Sequence, residues 1–177
     1  MKRRDFLLGS GVGLAALAVG GGLWLRTPGD NPITSLAAVL STLNSFRGKT
    51  LVHSGAWSPA HVFNHNAQSI DFSLTGFPEP KSELFQKTAG KAAFAVFSAK
   101  QAMHHGLSEP IPGAPAIAND GNIDVAIDRL VASIARFNAP TGELKPHFAY
   151  GVLAQAEYDM AHALQFANHL SEIRLAA

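Results

Sequence analysis

Apolar residues recur along most of this chain at the three-and-four spacing of a helix buried on one face. Leu36, Val39, Leu40, Leu43 and Phe46 form the first such stripe, with Thr34 or Ser35 ahead of it as cap. Residues 47–57, with glycines at 48 and 55, predict a loop. Ser58-Pro59 then reads as a cap and a first-turn proline, opening a second helix that runs to about Leu74. Gly76-Phe77-Pro78-Glu79-Pro80 stops it, and Ser82 caps a third helix carrying Leu84, Phe85, Phe94, Val96 and Phe97. That helix is interrupted by Gly90 and ends near Met103. From His104 to Asn122 the prolines at 110, 112 and 115 and the glycines at 113 and 121 forbid a regular element, so a long loop packed by its own apolar residues is expected. Ile123, Ala126, Ile127, Leu130, Ile134 and Phe137 make the stripe of a fourth helix, with Asp124, Asp128 and Arg129 facing water. Pro140-Thr141-Gly142 ends it, and a fifth helix is expected from about Gln155 to Ile173. No segment alternates as a strand should, and no internal repeat is visible.

The stretch from Phe6 to Leu25 carries no charge and is studded with glycine, which makes a poor interior helix. It follows Lys2-Arg3-Arg4-Asp5-Phe6-Leu7-Leu8, which resembles the consensus of a twin-arginine export signal, with Arg3, Arg4, Phe6 and Leu7 as its signal residues. The expected organisation is therefore a signal or uncleaved anchor over residues 1–26, a linker over 27–33 and one helical domain over 34–177. Ala16-Leu17-Ala18 has a small-x-small pattern but lies inside the apolar run, so removal of the leader and its retention as a tether both stay open. Either way the expected location is the periplasm, free or held at the inner membrane. The translocase is a partner during export, and membrane contact is confined to the N-terminal segment.

Of the 177 residues, about 150 remain behind the leader, the usual size of one domain. There is no cysteine, so disulfides, thiolate nucleophiles and thiolate metal ligands are excluded, and any metal site must use nitrogen and oxygen. The formal charge is +1, with 14 basic and 13 acidic residues, and the basic cluster at Lys2, Arg3 and Arg4 belongs to the leader. A nearly neutral domain argues against nucleic acid as a partner.

The candidate chemistry lies in the histidines. His61 and His65 are four residues apart on the second helix, on one face and about 6 Å apart along the axis, a spacing compatible with a shared metal. His162 and His169 share a face of the fifth helix, but a rise of about 10 Å separates them, and Gln165 lies between. His53, His104 and His105 fall in loops or at a helix end, where capping or surface roles are commoner. For His65 and His169 the ordinary alternative is a core-edge imidazole satisfied by a backbone carbonyl or by an amide such as Gln68 or Asn168. Ser69 and Ser73 have no triad around them, the carboxylates are scattered, and the only glycine-rich run is in the leader, so no catalytic residue is assigned. Phe63, Phe72, Phe94, Phe97 and Phe166 read as core.

The run His65-Asn66-Ala67-Gln68-Ser69-Ile70-Asp71-Phe72-Ser73-Leu74-Thr75-Gly76-Phe77-Pro78 is similar to the signature of an uncharacterised family, a domain of unknown function, within the DinB-like or YfiT-like superfamily. Pro110-Ile111-Pro112-Gly113-Ala114-Pro115, His147-Phe148-Ala149-Tyr150-Gly151 and Ala167-Asn168-His169-Leu170 extend the resemblance, which covers about Leu36 to Ile173. It implies an all-α, up-and-down four-helix bundle with an additional short helix and the long Pro/Gly loop. It also implies a divalent metal, zinc or nickel, held by one histidine of the second helix and two of the last. His65 and His169 match the first and last of these positions, and Gln165 stands where the superfamily has its other histidine. His162 or His147 would then be the third ligand, or a general base.

Three readings follow. The first is an exported binding module whose polar pocket, between the second and fifth helices, takes a small ligand and is lined by His61, His65, Gln68, His147, Gln165 and His169. The second is a divalent-metal-dependent transferase or hydrolase of the DinB-like type, and the third a membrane-tethered domain that binds another protein. Dimerisation with a second copy is open in all three.

Overall fold

Local capping chemistry sets where the helices begin in the computed structural model, which describes residues 29–176. The signal residues expected at Arg3, Arg4, Phe6 and Leu7 lie outside the described residues. The Ser35 side chain accepts from the Ala38 N–H and opens α1, Leu36–Phe46. Ser58 does the same for His61 ahead of α2, Pro59–Thr75, whose first residue is a proline that has no N–H to leave unpaired. Asn122 caps α4, Ile123–Asn138, through the Val125 N–H. At the start of α5, Gln155–Leu170, the Glu157 carboxylate reaches back to the Ala154 N–H at 2.7 Å. Gly76 ends α2 at φ +106°, a conformation glycine adopts at no steric cost.

The third helix, α3, is three contiguous segments: Glu83–Phe85, a π-helical turn over Gln86–Gly90, and Lys91–Lys100. The expected interruption at Gly90 is thus a widened turn, and packing reserves its last position for glycine. The Ala149 carbonyl sits so close to Gly90 that any side chain there would collide with it. Gln101 closes α3 in the left-handed conformation, φ +49°, so the helix stops short of Met103.

Two expectations need correction. The loop after α1 contains a strand, β1 at Leu51–His53, which pairs antiparallel with β2 at Ile173–Leu175 in the register Leu51 to Leu175 and His53 to Ile173. The fifth helix ends at Leu170, not Ile173: the backbone leaves the helix at Ser171, and Ile173 buries its side chain from a strand instead. Among the described residues the fold is therefore mostly helical, with five helices and one small two-stranded sheet. None of those helices is long and apolar enough to cross a membrane.

α2 makes its most extensive contacts with α4, and α5 packs on α1 and α2. Phe63, fully buried on α2, lies between Phe46 of α1 and Phe166 of α5, with ring centroids 6.3 and 6.1 Å away. Ile127, Leu130 and Ile134 of α4 close the core from the other side. Outside it, Arg136–Asp71 at 2.6 Å and Arg47–Asp128 at 2.7 Å tie α4 to α2 and to the end of α1. By contrast α3 buries only Gly90 and Phe94, so it is peripheral. The long loop is not loose. Its Pro115 carbonyl accepts from Gln68 at 3.0 Å, Asn119 bonds the backbone of Ser58 and Ala56, and the Asn168 amide reaches the His105 carbonyl.

Candidate functional site

Where α2 faces α5 beyond Phe63, the apolar core gives way to imidazoles. His65 and Gln165 meet across the interface, with the Gln165 amide nitrogen 3.0 Å from His65 Nε2. The Gln165 oxygen accepts from the Ser69 hydroxyl at 3.0 Å, so the amide N–H is the group left to face His65. His65 Nε2 accepts that bond and carries its proton on Nδ1.

Trp57, just ahead of the α2 cap, forms the lid of this row. Its ring stacks on His61 at 4.2 Å and on His169 at 5.6 Å, and lies tilted over His65 at 4.9 Å. His169 meets both His65 and His105 edge to face at 5.1 Å. It is 1% exposed, and neither of its ring nitrogens has a hydrogen-bond partner. Such an orphaned pair inside a protein is costly and calls for an explanation.

A second aromatic group adjoins the first. His147 stacks on Tyr150 at 4.2 Å and 6°, with Phe77 and Phe148 against its other sides. His162 stacks on Tyr158 at 5.3 Å and turns its edge to Phe137. The Tyr158 hydroxyl donates to the Lys145 carbonyl at 2.6 Å, which holds the 145–151 loop against α5.

Between the two groups lies a cavity of about 230 Å³. α2 contributes His65 and α5 contributes Ala161, His162 and Gln165. The 145–151 loop adds His147, Phe148 and Tyr150, and the long Pro/Gly loop closes it with Met103, His105 and the stretch 109–112. Lys81 and Glu109, both exposed, bring opposite charges to its edge. A larger cleft of about 520 Å³ lies elsewhere, around Thr75, Arg136 and the 139–143 loop. Its arginine is already paired with Asp71, and no histidine lines it.

Burial decides the electrostatics of the site. It pushes His65 down to about 4, with repulsion from His105 and His61 adding to the effect. His169 is pushed down to about 3 by burial and then by His65, His105 and His61. His147 falls to about 3 through burial and the nearness of His162, and His162 to about 3 through burial alone. Burial also raises the Tyr150 phenol to about 12. At neutral pH His65, His147, His162 and the Tyr150 phenol, which line the cavity, are all uncharged.

Of the residues singled out in the sequence, His65, His147, His162 and Gln165 line one cavity, and His169 lies behind it. His61 and Gln68 do not line it. Trp57 covers His61, and Gln68 is spent on the Pro115 carbonyl. His162 makes its ring contacts with Tyr158 and Phe137 and none with His65 or His169. Among the described residues no group of three histidines or carboxylates is placed to hold a metal ion. The donor chemistry agrees, since the His65 Nε2 lone pair that a metal would use accepts from Gln165. Trp57, His105, Tyr150, Lys81 and Ser69 were not expected at the site. His105 is the largest surprise, because a loop histidine beside glycine reads as a surface residue.

The depressed histidines predict a direction for acid sensitivity. Their folded values lie below the ordinary 6.5, so below that pH the unfolded chain binds more protons and stability falls as pH drops toward 3. For His147 and His162, both pushed down to about 3, the loss from pH 7.5 to 5 should be about 2 kcal/mol each. Urea denaturation across that range checks it, and His162→Phe should reduce the slope of stability against pH by one proton. A flat profile in the parent protein would contradict the burial of neutral imidazoles.

No curated protein and no solved structure matches the chain. One sequence family does, with its match running over residues 28–175 and so taking in every element and every site residue named above. The chain belongs to the family described as "Protein of unknown function (DUF1569)".

Proposed function

We propose that this protein is an exported small-ligand-binding module whose site is the histidine-lined cavity between α2 and α5. The observation that carries the reading is the cavity's wall: His65, His147, His162 and Gln165 converge on about 230 Å³ beside apolar groups. Small-molecule sites have this composition, an apolar concavity with a few placed polar groups. We read the domain as an up-and-down bundle of α1, α2, α4 and α5, with α3 as the additional helix. The shared core around Phe63 and the peripheral burial of α3 support that assignment.

A titration with neutral compounds of up to about twelve non-hydrogen atoms tests the cavity. Followed by ¹H–¹⁵N NMR, it should move the amides of Met103, Ile111, Tyr150 and Gln165 together. Ile111→Trp, which adds an indole to the cavity wall, should abolish those shifts while leaving the fold intact. Shifts scattered over the surface, or unaffected by the substitution, would sink the reading.

Export rests on Arg3-Arg4 and the uncharged run behind them, which resemble a twin-arginine leader. The periplasm, free or tethered by the N-terminal segment, is the corresponding location. Replacing both arginines by lysine should retain the protein in the cytoplasmic fraction. Unchanged delivery would remove the export claim and leave the cavity untouched.

A second reading, a divalent-metal-dependent transferase or hydrolase, is favoured by one observation: His169 is buried with both ring nitrogens unpartnered. Zinc or nickel is the corresponding ion. Gln165 opposes it, because its amide N–H occupies His65 Nε2. Gln165→His would restore imidazoles at i and i+4 on α5, opposite His65. Calorimetry with Zn²⁺ and Ni²⁺ should show tighter binding to that variant than to the parent by at least about tenfold. Equal, tight binding by both would revive the metal reading for the natural sequence.

A further inference from the structure

The loop that carries His147 does more than place its ring. Nδ1 of His147 accepts from the backbone N–H of Ala149 at 3.1 Å and from that of Tyr150 at 3.2 Å. Two donors converge on one lone pair, so Nδ1 cannot carry a proton, and the neutral ring must carry it on Nε2. The surrounding geometry leaves little room for a change. His147 and Gly151 exchange both backbone hydrogen bonds, at 2.8 and 3.0 Å, with Gly151 at φ +74°. The ring is pinned between Tyr150 and Phe77. The loop is itself held by the Gln86 amide on the Phe148 carbonyl and by the Ala149 carbonyl against Gly90.

This tautomer excludes two roles. A metal bound at Nε2 would require a proton on Nδ1, facing two N–H groups. A general base needs a free lone pair, and the only one on this ring is already used. What His147 can do is donate. A neutral imidazole held in this way is a strongly oriented hydrogen-bond donor toward a carbonyl oxygen, and it brings no net charge into an apolar site.

We infer that His147 is the carbonyl-recognising donor of the cavity, offering Nε2–H to the oxygen of a small, uncharged carbonyl compound. The inference rests on the cavity reading proposed above. His162 adds support, since it lines the same cavity and its buried Nε2 has no partner. Lys81 and Glu109 bring opposite charges to the edge, and the buried histidines of the wall, His65 and His162, are neutral, which fits an uncharged ligand.

The tautomer is read first, on the purified protein without ligand, from the ¹⁵N shifts of the His147 ring. Nδ1 should resonate as an unprotonated nitrogen and Nε2 as a protonated one. The reverse pattern overturns the inference whatever the cavity binds. Binding is then measured with two probes of nearly equal size, acetophenone, which carries a carbonyl, and ethylbenzene, which does not. Acetophenone should shift the His147 Nε2–H signal, and His147→Asn, whose Oδ1 can still accept from the Ala149 and Tyr150 N–H groups, should weaken acetophenone binding about tenfold more than ethylbenzene binding. Equal weakening or equal retention of both probes overturns the donor role and leaves the cavity reading intact. Binding of neither probe by the parent protein overturns both together.

Discussion

The structure depends on how α2 and α5 manage an interface in which stacked apolar rings and hydrogen-bonding side chains alternate along the same two helices. Around Phe63 the two helices join through stacked rings, which need no partners beyond each other. Beside those rings that solution stops, because His65, His162 and His169 are removed from water and Gln165 is partly so, and each carries groups that must donate or accept. Gln165 resolves part of the problem by taking the Ser69 hydroxyl on its oxygen and giving its N–H to His65. His169 and His162 keep unsatisfied nitrogens, and the cavity opens beside that unresolved remainder. A wholly apolar interface would pack more stably, but it would leave no cavity with directional chemistry.

Neutrality is the second consequence. Several imidazoles close together would repel one another if charged, and burial already disfavours the charge, so both effects push the same way. The site is therefore a set of oriented dipoles and not a charged patch. This separates it from anion-binding sites built on lysine and arginine, and the near-balance of charge over the whole chain agrees with that character.

The helices were legible in the sequence through their apolar spacing, and the first three also through a cap. Ser35, Ser58 and Ser82 cap the helices they were expected to open, and Asn122, read only as the end of the long loop, caps α4. The strands were not legible. Three residues cannot display alternation, and Ile173 continues the apolar spacing of α5 although the backbone has already turned at Ser171. At the site, His65, Gln165 and His162 could be found because helical spacing puts them on interior faces, and His147 through the family-like segment around it. Trp57, His105 and Tyr150 belong to loops, where position comes from long-range bonds such as Asn168 to the His105 carbonyl. Such bonds leave no period in the sequence. Gln68 and His61 show the converse, since a correct face on α2 did not decide which neighbour would occupy each side chain.

The π-helical turn in α3 works as a phase adjuster. A π turn holds one more residue than an α turn, so everything before Gln86 is rotated about the helix axis by roughly 100° relative to an unbroken helix. Lys81 lies on that rotated side and reaches the edge of the cavity, where its backbone N–H also binds the Phe148 carbonyl. Length in this helix is thus tied to the cavity's perimeter. Shortening the turn by one residue would leave the core composition unchanged and still carry Lys81 away from the Phe148 carbonyl, a form of sensitivity that belongs to chain register and not to any single side chain.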